Sequence, residues 1–250
     1  MTVPPPTVVF VHDAWHDERC WLDVQAHLSR RRVASVAPTL PSTDPGRGLG
    51  LRRPGFAADV DAVLDVLDGL PGPAVLCGHG YGGMVISEAG NHDRVKRLVY
   101  LAAACPRPGE RGIDHAGHLA RAVRLTGDGR MTLAPRAAVR RLYGDLAPAE
   151  ARARAAALRP STAGILDARS IAPAWLDTPT TYVICGRDRA LDRRRVRACA
   201  DDVMVHQLGL GRADGYSVWL DTGHSPFYSA PEAVADVVAE PRRVNGYPKR

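Results

Sequence analysis

The glycine-rich turn Gly78-His79-Gly80-Tyr81-Gly82 is the stretch of this chain best able to organise chemistry. The apolar run Val75-Leu76-Cys77 leads into it, and Met84-Val85-Ile86 follows almost at once. Strand, tight turn and helix in that order make the elbow that, in the pattern G-x-S-x-G, pushes a nucleophilic serine clear of the backbone. Here Gly80 holds the central position, so the turn is present and the hydroxyl is not. Glycine cannot attack a carbonyl or carry an acyl group. The turn has its own reason to prefer it, because the central residue of an elbow sits at strained dihedrals that cost about 1–3 kcal/mol for other residues. A second concentration of polar groups, His12-Asp13-Ala14-Trp15-His16, follows the first apolar run.

The elements that must position these residues alternate. Thr7–Val11 reads as a strand buried on both faces, and Val33–Ala37, Ala74–Cys77, Arg97–Ala103, Thr180–Cys185 and Tyr216–Leu220 read as further strands. Between them, Cys20–Arg30 has helical spacing, and Phe56–Leu70 places Val60, Val63, Leu64 and Leu67 on one stripe before Pro71-Gly72-Pro73 stops it. Helices are also expected from Gly83–Ala89, Ala149–Leu158, Arg193–Ala200 and Pro231–Val238, with a polar tail over Glu240–Arg250 and a surface loop over Ser42–Gly55. From Cys105 to Asp177 the text turns rich in arginine and alanine with no convincing strand, which predicts a helical lid over 105–177 inserted between core segments 1–104 and 178–250. Strands alternating with helices imply right-handed crossovers and a mainly parallel, doubly wound α/β sheet.

A chain of 250 residues with 45% hydrophobic content can bury a large core as one domain. Its net charge of +6 comes from arginines in short clusters such as Arg193-Arg194-Arg195 and Arg242-Arg243, without interleaved aromatics. That describes a solvated surface and no nucleic-acid partner, although it could draw in an anionic substrate. Five cysteines, an odd number, and the absence of a signal segment or membrane-length apolar run predict a reduced, cytoplasmic protein with no membrane partner. No metal, nucleotide or flavin motif is present, so neither cofactor nor metal is expected; a homodimer is left open.

The segments Val11–His16, Gly78–Ile86, Leu98–Glu110, Asp177–Leu191 and Leu220–Pro231 resemble, in order, the plant-type methylesterase and hydroxynitrile lyase group of the α/β-hydrolases and its bacterial esterase relatives. The resemblance implies an α/β-hydrolase fold with the nucleophile serine replaced by Gly80. It places the catalytic histidine on His224 and its acid partner on Asp188. The backbone N–H groups of Ala14 and Tyr81 fall on the oxyanion hole, donors that do not depend on side-chain identity. Asp13, Trp15, His79 and Trp175 become candidate substrate-binding residues. Asp13 replaces the glycine usual before the hole and would oppose negative charge there unless it points outward or is protonated.

These features lead to the expectation of general acid–base chemistry by a His224–Asp188 dyad on a small carbonyl-bearing organic substrate: lyase, cyclase, decarboxylation or water-mediated hydrolysis. A carboxylesterase whose serine was removed by engineering and a catalytically dead small-molecule binding protein are the alternatives. Gly80→Ser is expected to restore weak esterase activity.

Overall fold

The computed structural model describes residues 4–44, 54–211 and 216–239. The expected tail over 240–250, the Arg242-Arg243 cluster and most of the expected loop, residues 45–53, lie outside them. Six strands form one sheet: β1 (Thr7–Val11), β2 (Ser35–Val36), β3 (Ala74–Gly80), β4 (Val95–Ala103), and, after the insertion, two that are numbered below with it. Its order is β2-β1-β3-β4-β8-β9, with β8 at Thr180–Cys185 and β9 at Tyr216–Leu220, and every neighbouring pair is parallel. Continuous β-branched and aromatic runs suit strands covered on both faces. One face packs Val9, Leu76, Leu98 and Tyr182 against helices α2 (Phe56–Asp68) and α3 (Gly82–Ala89). The other packs Phe10, Cys77, Val99 and Val183 with Trp21, with α1 (Leu22–Arg30) and with the C-terminal helix.

The inserted block carries more than helices. It holds α4 (Gly112–His115), α5 (Pro135–Arg141) and α6 (Pro148–Ala156), but also a small antiparallel sheet of β5 (Val123–Leu125), β6 (Arg130–Leu133) and β7 (Ser161–Thr162). The expectation of a strandless lid is corrected on this point. Helix α7 (Arg193–Gly209) also runs nine residues beyond the expected stretch, and α8 (Pro226–Ser229) and α9 (Pro231–Ala239) follow the last strand. All five cysteines are free and buried, and no helix among the described residues is long and apolar enough to cross a membrane.

Two features of the fold meet at the chemistry. The chain leaves the carboxyl end of β1 toward β2 and that of the neighbouring β3 toward β4, in opposite directions, which opens a crevice between the two ends. The loop after β1 and the turn after β3 both empty into that crevice. Helix α3 approaches the sheet closely through Gly83, where an added Cβ would lie 2.0 Å from the Ala104 carbonyl oxygen. Gly83→Ala is therefore expected to lower stability by about 1–3 kcal/mol through overpacking, read as a lower denaturant midpoint. An unchanged midpoint would mean that α3 can slide off β4 freely.

Candidate active site

Strand β3 ends at Gly80 with φ of +52°, a left-handed conformation, and α3 starts two residues later. The turn is thus an elbow in backbone terms, and glycine adopts its central conformation without the penalty of a Cβ. Across the crevice, the β1 loop turns tightly through Asp13-Ala14-Trp15, with His16 N–H donating to the Asp13 carbonyl at 3.2 Å. Trp15 is itself at φ of +67°, an unusual dihedral for a bulky aromatic. Its indole N–H donates to the carbonyl of Met131 on β6, so the lid sheet holds the strained residue in place.

These two turns aim two backbone donors at one point. Ala14 N–H and Tyr81 N–H converge as an oxyanion hole would require, and the atom between them is Asp13 Oδ1, at 2.9 and 2.5 Å. The Asp13 carboxylate lies where a side chain at position 80 would go: a Cβ on Gly80 would fall 2.1 Å from Cγ, 2.2 Å from Oδ1 and 2.5 Å from Oδ2. Asp13 therefore neither points outward nor is protonated, the two escapes that its place beside the hole had suggested. Burial works against its charge, but the His224 imidazolium facing it outweighs that and holds the carboxyl down at about 2.

His224 is fully buried, with Nδ1 donating to Asp188 Oδ2 at 2.8 Å and Nε2 facing Asp13 Oδ2 at 3.6 Å. The second distance makes an ion pair rather than a hydrogen bond. Asp188 is fixed in turn by the N–H groups of Ala190 and Leu191 on its Oδ1. Burial alone would discharge the imidazole; carboxylates on both sides reverse that and push it up to about 10. The resting site is then an imidazolium between two carboxylates. Neither Nε2 of His224 nor Oδ2 of Asp13 has a hydrogen-bond partner among the described residues.

The surrounding histidines behave differently. His79 is buried, and its Nε2–H donates to the backbone carbonyl of His224 at 2.8 Å; it braces the His224 loop from behind and does not line the pocket. Burial drives its pKa well down, so it is neutral. His16, bonded to the Tyr143 hydroxyl, is likewise pushed down to about 4, chiefly by burial. His12 donates from Nδ1 to the Asp13 carbonyl and accepts the Leu40 N–H, tying the loop base. Asp13, His16 and His79 offer one ligand atom each within 4.8 Å of one another, a donor set that suits a small divalent cation in type.

The pocket over Asp13 and His224 is narrow and mainly apolar, with Trp15, Met84, Leu119, Ile165 and Leu191 among its walls. Trp175, expected there, instead packs in the core and donates its indole N–H to the Pro106 carbonyl at 2.7 Å. One contributor escaped the sequence reading. Asp59, fully buried on α2, accepts the Tyr81 hydroxyl at 2.8 Å and the Ser42 N–H at 2.8 Å, and so anchors the residue whose N–H forms half of the hole. Its signal was present: Asp59 is in register with Val63 and Leu67 on the buried stripe, the one carboxylate there.

The relatives agree with this architecture. Residues 8–237 match the family model described as the alpha/beta hydrolase family. A probable hydrolase, R7, from Phoma sp. is 30% identical over 94% of this chain and 97% of its own length. A pyrethroid hydrolase from Sphingobium wenxiniae is 27% identical over 93% of this chain and 86% of its own. Among solved structures, a methylesterase from Arabidopsis superposes with a TM-score of 0.71 at 22% identity, covering 93% of this chain and 96% of that one, a likeness of fold. With an elbow after the third strand, donors from two turns meeting beside it, and a histidine–aspartate pair from the last two strands, this chain belongs to the alpha/beta hydrolase family.

Proposed function

We propose that this chain is a cytoplasmic enzyme that works on a small organic molecule without a serine nucleophile, through proton transfer by His224 supported by Asp188. The observation that carries this reading is the geometry of His224 at the pocket wall: one ring nitrogen is fixed on the Asp188 carboxylate, and the other faces Asp13 Oδ2 at 3.6 Å with no hydrogen bond of its own. A carboxylate on Nδ1 sets the tautomer and stabilises the imidazolium, leaving Nε2 to move protons. Because the resting ring is charged, the first proton it moves is one it gives. It becomes a base only after that.

A carbonyl-bearing substrate undergoing a lyase, cyclase, decarboxylation or water-mediated hydrolytic step fits this scheme where the substrate oxygen takes its proton from Nε2. Binding of that oxygen in the hole does not fit, because Asp13 Oδ1 is already there. The removed-serine reading is weakened by the same contact. A serine at position 80 and Asp13 as placed would claim one volume, so the two residues belong together as a pair.

The test begins with mass spectrometry of metabolites retained on the purified protein. Turnover of the retained compound is then compared for the wild-type chain, His224→Ala and Asp188→Asn, with affinity followed in parallel. Loss of roughly 10²–10⁴-fold in rate with binding preserved is the expected result. Equal turnover in all three would refute the dyad. Tight binding without turnover in any of them would make the chain a binding protein.

A further inference from the structure

We propose that Asp13 is the nucleophile of this enzyme, its Oδ2 attacking the saturated carbon of an epoxide to form an ester that water then hydrolyses at Cγ. This rests on the reading above that the pocket at His224 is the reacting centre, and it adds the attacking atom and the substrate class.

Three observations carry it. The carboxylate occupies the volume that a side chain on the elbow would fill, so it replaces the reactive group in position as well as in kind. Its Oδ1 is held by both donors of the hole, Ala14 N–H and Tyr81 N–H. Its Oδ2 is buried, unpartnered and at the wall of the pocket, 3.6 Å from the nitrogen of His224 that faces it. A hole that grips an oxygen of the enzyme's own carboxylate is useless to a substrate carbonyl. It is suited to an ester of that carboxylate, because attack at Cγ places the new negative charge on Oδ1 between two donors already in position. A purely basic role fits less well. Two N–H groups on Oδ1 and the imidazolium facing Oδ2 stabilise the anion and hold its basicity down.

The class of electrophile follows from the charges. Attack on a carboxylic ester would need a second hole, and among the described residues no donor is hydrogen-bonded at Oδ2. An epoxide needs only a proton for its oxygen, and the imidazolium of His224 is the adjacent donor. In the first step the Oδ2–carbon bond forms, the carbon–oxygen bond of the ring breaks, and the ring oxygen takes the Nε2 proton, leaving a neutral imidazole. In the second, Nε2 takes a proton from water as the water oxygen bonds to Cγ and Oδ1 becomes the oxyanion. Collapse breaks the Cγ–Oδ2 bond, and the departing alkoxide takes the proton back from Nε2. The new carboxylic acid of Asp13 then gives its proton to Nε2. Epoxide plus water has become a vicinal diol, and the site has returned to carboxylate and imidazolium. The diol leaves with the former Oδ2, and Asp13 keeps the oxygen of water.

That exchange is the test. The wild-type chain is given para-nitrophenyl glycidyl ether, and separately the smaller epoxybutane, in heavy-oxygen water at less than one equivalent, and peptides spanning Asp13 are weighed. One heavy oxygen in Asp13 for each diol formed is the expected result, with an alkyl adduct accumulating on the same residue in His224→Ala and none in Asp13→Asn. Diol formed without label in Asp13 would overturn the proposal in favour of direct attack by water, and neither diol nor adduct from either epoxide would overturn it outright. Labelled Asp13 with undiminished turnover in Asp188→Asn and His224→Ala would leave Asp13 as nucleophile and remove the His224 reading instead. The labelling result is obtained on the unaltered chain, so it stands even if a variant fails to fold.

Discussion

The double variant Asp13→Gly, Gly80→Ser is expected to hydrolyse para-nitrophenyl acetate with a burst of nitrophenolate close to one per chain, whereas neither single variant gives a burst. The argument is one of volume. A Cβ at position 80 falls 2.1 Å from Asp13 Cγ, so Gly80→Ser alone drives the new side chain into a buried carboxylate pinned by two backbone donors. The expectation from sequence that this single change restores activity is corrected here: the occupied hole was not visible in the motif. Asp13→Gly alone empties the hole but supplies no nucleophile. Together they clear the space, add the hydroxyl and return both N–H groups to the substrate oxygen, with His224 and Asp188 already aligned. Recovering the hole donors alone is worth about 10²–10³ in rate, so the double variant should exceed either single one by at least that factor. A serine at φ near +52° still bears about 1–3 kcal/mol of strain. A folded double variant with no burst would mean that His224 does not reach an atom at position 80.

What the sequence made legible divides along the range of the interactions that decide it. Thr7–Val11 and Thr180–Cys185 were readable to the residue because strands buried on both faces need only an unbroken apolar run. The elbow was readable because glycine spacing in a tight turn is a local demand. The lid sheet was harder. Strand β6 has alternating burial at Met131 and Leu133, and Asp128-Gly129 before it is a hairpin signal, yet four residues amid arginine and alanine give a weak period. Strand β7, two residues long, exists only because β6 is beside it. The site shows the same division. Asp13 stood out as an anomaly next to the hole, but the direction of its side chain depends on space left by a glycine far along the chain. Likewise His79 and Trp175 look like pocket residues by type, and only the packing around them places one behind the His224 loop and the other in the core.

His224→Ala is expected to lower stability by about 3–5 kcal/mol near pH 6, because it strips the cation from between two carboxylates and leaves Asp13 buried without a counter-charge. The pH dependence has a definite sign. The histidine's folded pKa, at about 10, lies above its ordinary 6.5, so its contribution is complete below 6.5 and is lost as pH rises through about 10. Asp13, lowered from 3.8 to about 2, contributes fully above 3.8 and loses that contribution as pH falls through about 2. The stability gap between the wild-type chain and His224→Ala should therefore be widest at mildly acidic pH, between those two windows, and narrow steadily toward pH 10. Urea midpoints at several pH values across that range measure it, and because each comparison is made at one pH, titrations common to both chains cancel. A gap that stays constant from pH 6 to 10 would mean that the ring is neutral at rest. In that case His224 would begin the reaction as a base, and an epoxide oxygen would have no proton donor beside Asp13.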